Sequence, residues 1–154
     1  MEYENTQNTA KKPLNLKGLC ERQFDGKQVT VPKMWFDHLS EKEKVGRLVI
    51  DDRHEYKKLV YIPEETYMEQ VRQAKWQEDN EEKLRMLDTA VMTSIANGKL
   101  TIPEAHQKTA EVEPGTVVIT GRKDRFNIYG AKQHEAAQAL FDSRSIYDQP
   151  EDYE

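Results

Sequence analysis

The sequence predicts an α+β protein made of two copies of one strand–strand–helix–strand–strand (ββαββ) unit, joined and flanked by helices. Three observations predict it. The stretch Gly26-Lys27-Gln28-Val29-Thr30-Val31-Pro32 returns as Asn97-Gly98-Lys99-Leu100-Thr101-Ile102-Pro103. After each copy the same succession follows: a short polar helix pattern, a glycine, an apolar run, a charged turn, a second apolar run and a helix. The offset between copies drifts slowly, from 71 residues at Pro32/Pro103 to 69 at Gly46/Gly115 and 67 at Pro63/Gly130, as small loop changes in a duplicated unit require.

Each unit is read from its residues in order. A glycine turn supplies the positive φ of a tight connection, and the β-branched residues after it favour an extended strand. In the first copy residues 16–24 and 29–31 read as two arms of a hairpin across Asp25-Gly26-Lys27. Pro32 and Pro103 end their strands and suit a first helical turn, so 33–39 and 104–110 read as short helices. Trp35, Phe36 and Leu39 give the first of these an apolar face, a spacing that belongs to a core and not to a base-stacking platform. Gly46 and Gly115 break the chain before the runs Arg47-Leu48-Val49-Ile50 and Thr116-Val117-Val118-Ile119. Charged turns at 51–57 and 121–125 lead to Leu59-Val60-Tyr61-Ile62-Pro63 and Phe126-Asn127-Ile128-Tyr129-Gly130.

Between the units, 64–77 carries Tyr67, Met68, Val71 and Ala74 at helical spacing, and 79–92 carries Leu84, Leu87 and Val91. These predict two linking helices with a polar hinge at 77–80, where Asp79 or Asn80 would cap the second. A last helix is predicted over 131–141. The organisation is therefore an N-terminal arm at 1–15, a first repeat at 16–75, a linking helix at 76–92, a second repeat at 93–141 and an acidic tail at 142–154.

Composition narrows the function classes. The 154 residues are 36% hydrophobic and 33% charged, with a mean hydropathy of −0.92; no apolar span or leader pattern occurs, so a cytoplasmic protein is expected. Each half of about 70 residues is near the size at which folding alone is marginal, so mutual packing or oligomerisation is expected. A single cysteine, Cys20, excludes an internal disulfide and reads as a small apolar strand residue. Net charge is −5, which speaks against a sequence-blind nucleic-acid binder. Residues 142–154 hold five acids and one base, so the remaining chain is close to neutral, at −1, and can carry a local basic face. His38, His54, His106 and His134 lack metal-ligand spacing, and no Gly-rich phosphate loop or nucleophile–base pattern occurs. No enzyme activity, metal, cofactor or small-molecule substrate is expected.

The ordered set of Leu16-Lys17-Gly18, the two turn–strand–Pro segments, the run Tyr61-Ile62-Pro63-Glu64-Glu65 followed by Tyr67 and the inter-repeat helices resembles the MraZ family, within the wider swapped-hairpin AbrB/MraZ class. The likeness covers roughly residues 16–141. It implies two pseudo-symmetric swapped-hairpin β-barrel repeats in a bacterial transcriptional regulator. The protomers of such regulators form rings, bind repeated operators in double-stranded DNA and associate with the nucleoid. The family signature is an Asp-x-x-x-Arg in the first turn of each repeat, and both copies here depart from it. Gln28 and Lys99 stand at the arginine position. Asp25 matches the aspartate with a gap, and Ile95 or Ala96 stands there in the second copy.

Those departures change the chemistry. Arginine offers a planar fork, lysine a point charge and glutamine neutral hydrogen bonds. The residues expected to face DNA are Lys27 and Lys99, with Gln28, Arg22 and Asp25 as support at the turn and Lys33 on phosphate. The competing expectation is a degenerate relative that kept its oligomer, lost DNA and serves as a protein-interaction module.

Overall fold

The structure, a computed structural model, describes residues 14–76 and 81–142. The expected arm up to residue 13, the hinge at 77–80 with Asp79 and Asn80, and the tail beyond 142 lie outside the described residues. Among the described residues eight strands and five helices follow in order: β1 (Leu19–Phe24), β2 (Gln28–Thr30), α1 (Lys33–Phe36), a 3-10 turn (Lys42–Lys44), β3 (Val45–Asp51), β4 (Lys58–Pro63), α2 (Glu64–Trp76), α3 (Glu81–Asp88), β5 (Val91–Ala96), β6 (Lys99–Thr101), α4 (Glu104–Ala110), β7 (Gly115–Arg122), β8 (Arg125–Gly130) and α5 (Ala131–Asp142). The class is α+β.

All strand pairs are antiparallel and run β1-β7-β8-β4-β3-β5-β6-β2, a nearly closed barrel in which β1 and β2 lie side by side at the seam. Exchanging β1, β2, β3 and β4 for β5, β6, β7 and β8 leaves the pairing order unchanged. The β1–β7 ladder corresponds to β5–β3, β7–β8 to β3–β4, and β4–β8 and β2–β6 each map onto themselves. The seam is where the halves differ. β5 and β6 form a ladder at Ile95↔Leu100 and Ala96↔Lys99. β1 and β2 instead meet through one long backbone bond, Asp25 N–H to the Gln28 carbonyl at 3.4 Å.

The expected hairpin over 16–24 and 29–31 is thereby corrected. β1 pairs along its length with β7, and β2 pairs with β6. Pairing β2 with β6 turns Val29 and Leu100, 1% and 0% exposed, onto the same core. That burial, worth about 1.5–3 kcal/mol for each large aliphatic side chain, outweighs a short local ladder.

β3, β4, β7 and β8 read as unbroken apolar runs because both faces are covered. Leu48, Ile50, Leu59, Tyr61, Val117, Ile119, Phe126 and Ile128 point into the barrel. Val49, Val60 and Ile62 meet Tyr67 and Ala74 of α2 and Met86 and Leu87 of α3. Val118 and Tyr129 meet Ala137 and Phe141 of α5. Trp35 and Leu39 are buried and Phe36 packs on the same core, as expected. Cys20 is half-buried on β1.

Two further expectations are corrected. The helix expected over 79–92 ends at Asp88, and Val91–Ala96 is a strand. The Thr89 hydroxyl donates to the Met86 carbonyl and accepts from the Ile50 N–H, which terminates α3 against β3. Val91, Thr93 and Ile95 then alternate with the outward Met92, Ser94 and Ala96, the period of a strand. Gly46 does not break the chain: it lies inside β3, where a Cβ would meet the Tyr61 ring at 2.9 Å and the Ile62 carbonyl. Gly115 starts β7 at φ +120°, a backbone that side chains disfavour.

Candidate nucleic-acid interface

The two turn–strand–Pro segments lie against each other. Gln28 faces Thr101, Val29 faces Leu100 and Thr30 faces Lys99. The ladder is prolonged at both ends by equivalent bonds, Val31 N–H to the Gly98 carbonyl at 2.8 Å and Ile102 N–H to the Lys27 carbonyl at 2.9 Å. Each turn is therefore held by the strand of the other half. Alternation sorts the faces: Val29, Val31, Leu100 and Ile102 are buried, while Thr30, Lys99 and Thr101 are exposed and Gln28 is half-exposed beside them. The result is a small polar plate with Lys27 and Asp25 at one end.

The turns are shaped by different means. At the first, the Asp25 carboxylate accepts from the Lys27 N–H at 2.8 Å and the Gln28 N–H at 2.7 Å, and Gly26 takes φ +97°. Those two backbone donors, with the Lys99 ammonium in the background, hold the Asp25 carboxyl below its ordinary range. At the second, Asn97 and Gly98 both adopt positive φ, 55° and 77°, the backbone of a two-residue hairpin.

Of the residues expected at the site, Gln28 and Lys99 share the plate, and Lys27 and Asp25 lie in the turn at its Gln28 end. The two turns lie at opposite ends of the ladder, with Lys27 beyond the Gln28–Thr101 pair and Lys99 in the Thr30 pair at the other end. Two residues stand apart. Lys33 heads α1 and forms an exposed i,i+4 pair with Asp37 at 2.9 Å. Arg22 is half-buried on the inward side of β1, and its Nη1 donates to the Glu21 carbonyl at 2.9 Å.

Gln107 on α4 was not among the expected residues. Its Nε2 donates to the Gly26 carbonyl at 2.8 Å and the Ile102 carbonyl at 2.7 Å, tying the first turn to the end of the second strand. At the 71-residue offset it stands where Phe36 stands in the first copy, and a polar residue at an apolar repeat position is the signal that marks it.

The histidines are dispersed. His38 and His54 are exposed, His54 stacking on Tyr56. The His106 ring bonds the Thr89 carbonyl at 2.8 Å. His134 sits against Tyr129, where burial pulls its pKa down. Among the described residues no group of three or more His, Cys, Asp or Glu side chains could hold a metal ion, and no helix is long and apolar enough to cross a membrane.

No protein-family model matches the chain, and no curated protein is similar enough to it to count as a match.

Proposed function

We propose that the chain is a homo-oligomeric, DNA-binding transcriptional regulator of MraZ type, acting on the bacterial nucleoid through its paired tips. The observation that carries this reading is the β2–β6 ladder, which places Gln28 and Lys99 on one exposed polar surface, with Lys27 in the turn beyond its Gln28 end, although 71 residues separate Gln28 from Lys99. The pairing order, unchanged when the two sets of strands are exchanged, supports the finer view that the barrel is two interleaved swapped-hairpin repeats. Rigid presentation favours recognition, since each turn is fixed by backbone bonds to the opposite half. Oligomerisation would multiply a modest affinity per protomer where operator spacing fits.

A second reading, an oligomer that no longer binds DNA, is favoured by outward apolar side chains on the barrel flanks. Val45 and Met92 lie on neighbouring strands, 41% and 56% exposed, and Leu19 is 53% exposed on β1. Anisotropy of labelled DNA from the region upstream of the gene, against scrambled DNA over a salt series, separates the two. The DNA reading expects selective binding that weakens with salt. In Lys27→Ala/Lys99→Ala the log–log salt slope should fall by about 2, roughly 0.9 for each phosphate no longer neutralised. A stable oligomer that raises no anisotropy with either DNA at low salt would leave the protein-interaction reading.

A further inference from the structure

We infer that Gln28 is a base-reading residue that selects adenine, and that Thr101 is the positioning residue that sets its amide for the task. The inference rests on the DNA-binding reading above and adds what that surface reads.

Gln28 opens β2 on the outward side of the plate, directly across the ladder from Thr101. Its Nε2 donates to Thr101 Oγ1 at 3.2 Å, and its backbone N–H is held by Asp25 at 2.7 Å. Main chain and side chain are thus both anchored. A primary amide carries two N–H donors and one carbonyl acceptor. With one N–H engaged by Thr101, one donor and the acceptor remain, side by side in the amide plane.

That pair matches one base edge in the major groove. Adenine presents the N7 acceptor and the N6 amino donor, which a glutamine amide takes up together. Guanine presents N7 and O6, both acceptors, and would set O6 against the glutamine carbonyl with no donor between them. The Thr101 hydroxyl, accepting from Nε2 at 3.2 Å, restrains the amide about its last torsion and leaves one donor and the acceptor available together. Lys99, two ladder positions away opposite Thr30, adds a point charge that serves a phosphate or a guanine edge without demanding either. The two copies of the turn therefore contribute unlike chemistry: an amide that discriminates and an ammonium that holds.

The test uses the full-length chain, anisotropy at low salt and three defined duplexes: alternating dA and dT, alternating dG and dC, and the dA/dT duplex with every adenine replaced by a deaza analogue that lacks N7. The wild type should prefer the dA/dT duplex to the dG/dC duplex by about tenfold or more, the range of one good bidentate contact. The deaza duplex should lose most of that preference with the protein itself unchanged. Gln28→Ala and Thr101→Val should bind all three alike, Thr101→Ser should restore the preference, and Gln28→Arg should reverse it toward the dG/dC duplex. Binding that is equal on the dA/dT and dG/dC duplexes in the wild type, a preference that survives Gln28→Ala, or indifference to the loss of N7 would overturn the assignment while leaving DNA binding intact. Failure to bind any of the three would instead overturn the DNA-binding reading on which it rests.

Discussion

The two halves of the barrel build the same two connections by different chemistry. In the first half, side-chain charge shapes them. Asp25 caps its turn with a carboxylate, and the β3–β4 connection ends at the cross-strand pair Asp51 and Lys58, 1% and 0% exposed. Asp51 also takes two bonds from the Arg53 guanidinium, at 3.0 and 3.1 Å. In the second half, backbone conformation shapes them: Asn97-Gly98 at positive φ makes the tip, and β7 joins β8 through Lys123 at φ 57°. One half should therefore respond to pH and charge removal, the other to changes in backbone freedom.

The largest effect is expected at Asp51. Burial pushes its carboxyl up, but Arg53 and Lys58 pull harder and leave it below the ordinary range. Asp51→Asn removes the buried carboxylate that pairs with the Arg53 guanidinium and faces the Lys58 ammonium at 3.9 Å, and urea denaturation should register a loss of about 3–5 kcal/mol. Asp51→Leu with Lys58→Met should recover much of that loss, because a well-packed apolar pair is often as stable as a buried ionic one. If the double variant is no better than Asp51→Asn, the contrast between the halves is not one of charge. Next in size is the link between them: Gln107→Ala leaves the Gly26 and Ile102 carbonyls without this donor and should cost about 2 kcal/mol by the same measurement.

A smaller effect is expected on the backbone side. Gly98 has φ +77° with open space around its Cα, so Gly98→Ala meets no steric obstacle and loses only what the left-handed conformation costs, about 1 kcal/mol. That loss should be the same at pH 4 and pH 7, since no charge is involved. A loss that changed with pH would blur the distinction drawn between the two tips.

How far these differences could be read in advance depends on what enforces them. α4 was legible to its ends because Pro103 fixes its start, and the strands from β3 to β8 that carry continuous apolar runs were legible because two covered faces leave no alternative. β5 was hidden because Leu84, Leu87 and Val91 keep helical spacing across the real boundary, and only the Thr89 hydroxyl bonds to Met86 and Ile50 show where the helix stops. The partner of β2 was hidden for another reason. Periodicity states which face of a strand is apolar and is silent on which strand lies opposite, so a local hairpin and a pairing with β6 fit the same residues. At the candidate interface the turn residues Asp25, Lys27, Gln28 and Lys99 announced themselves through the repeat. Gln107 did not, because its role lies in two carbonyls that only the fold brings within reach.

The smallest expected effect tests the first tip most directly. Asp25 is exposed, and its carboxylate accepts from the Gln28 and Lys27 N–H groups, which stabilise the charged form and lower its pKa. The sign follows from that direction. An unfolded aspartate titrates near ~3.9, so the stabilisation is fully present above that pH and is lost as pH falls toward the lower folded value. Asp25→Asn keeps an acceptor oxygen for the same two N–H groups but cannot titrate. The variant should be slightly less stable than the wild type at pH 7, and the difference should shrink as pH falls through the acid range. Paired thermal melts at several pH values measure it. A difference that stayed constant with pH would mean that Asp25 acts by shape alone, and both tips would then be held by backbone conformation.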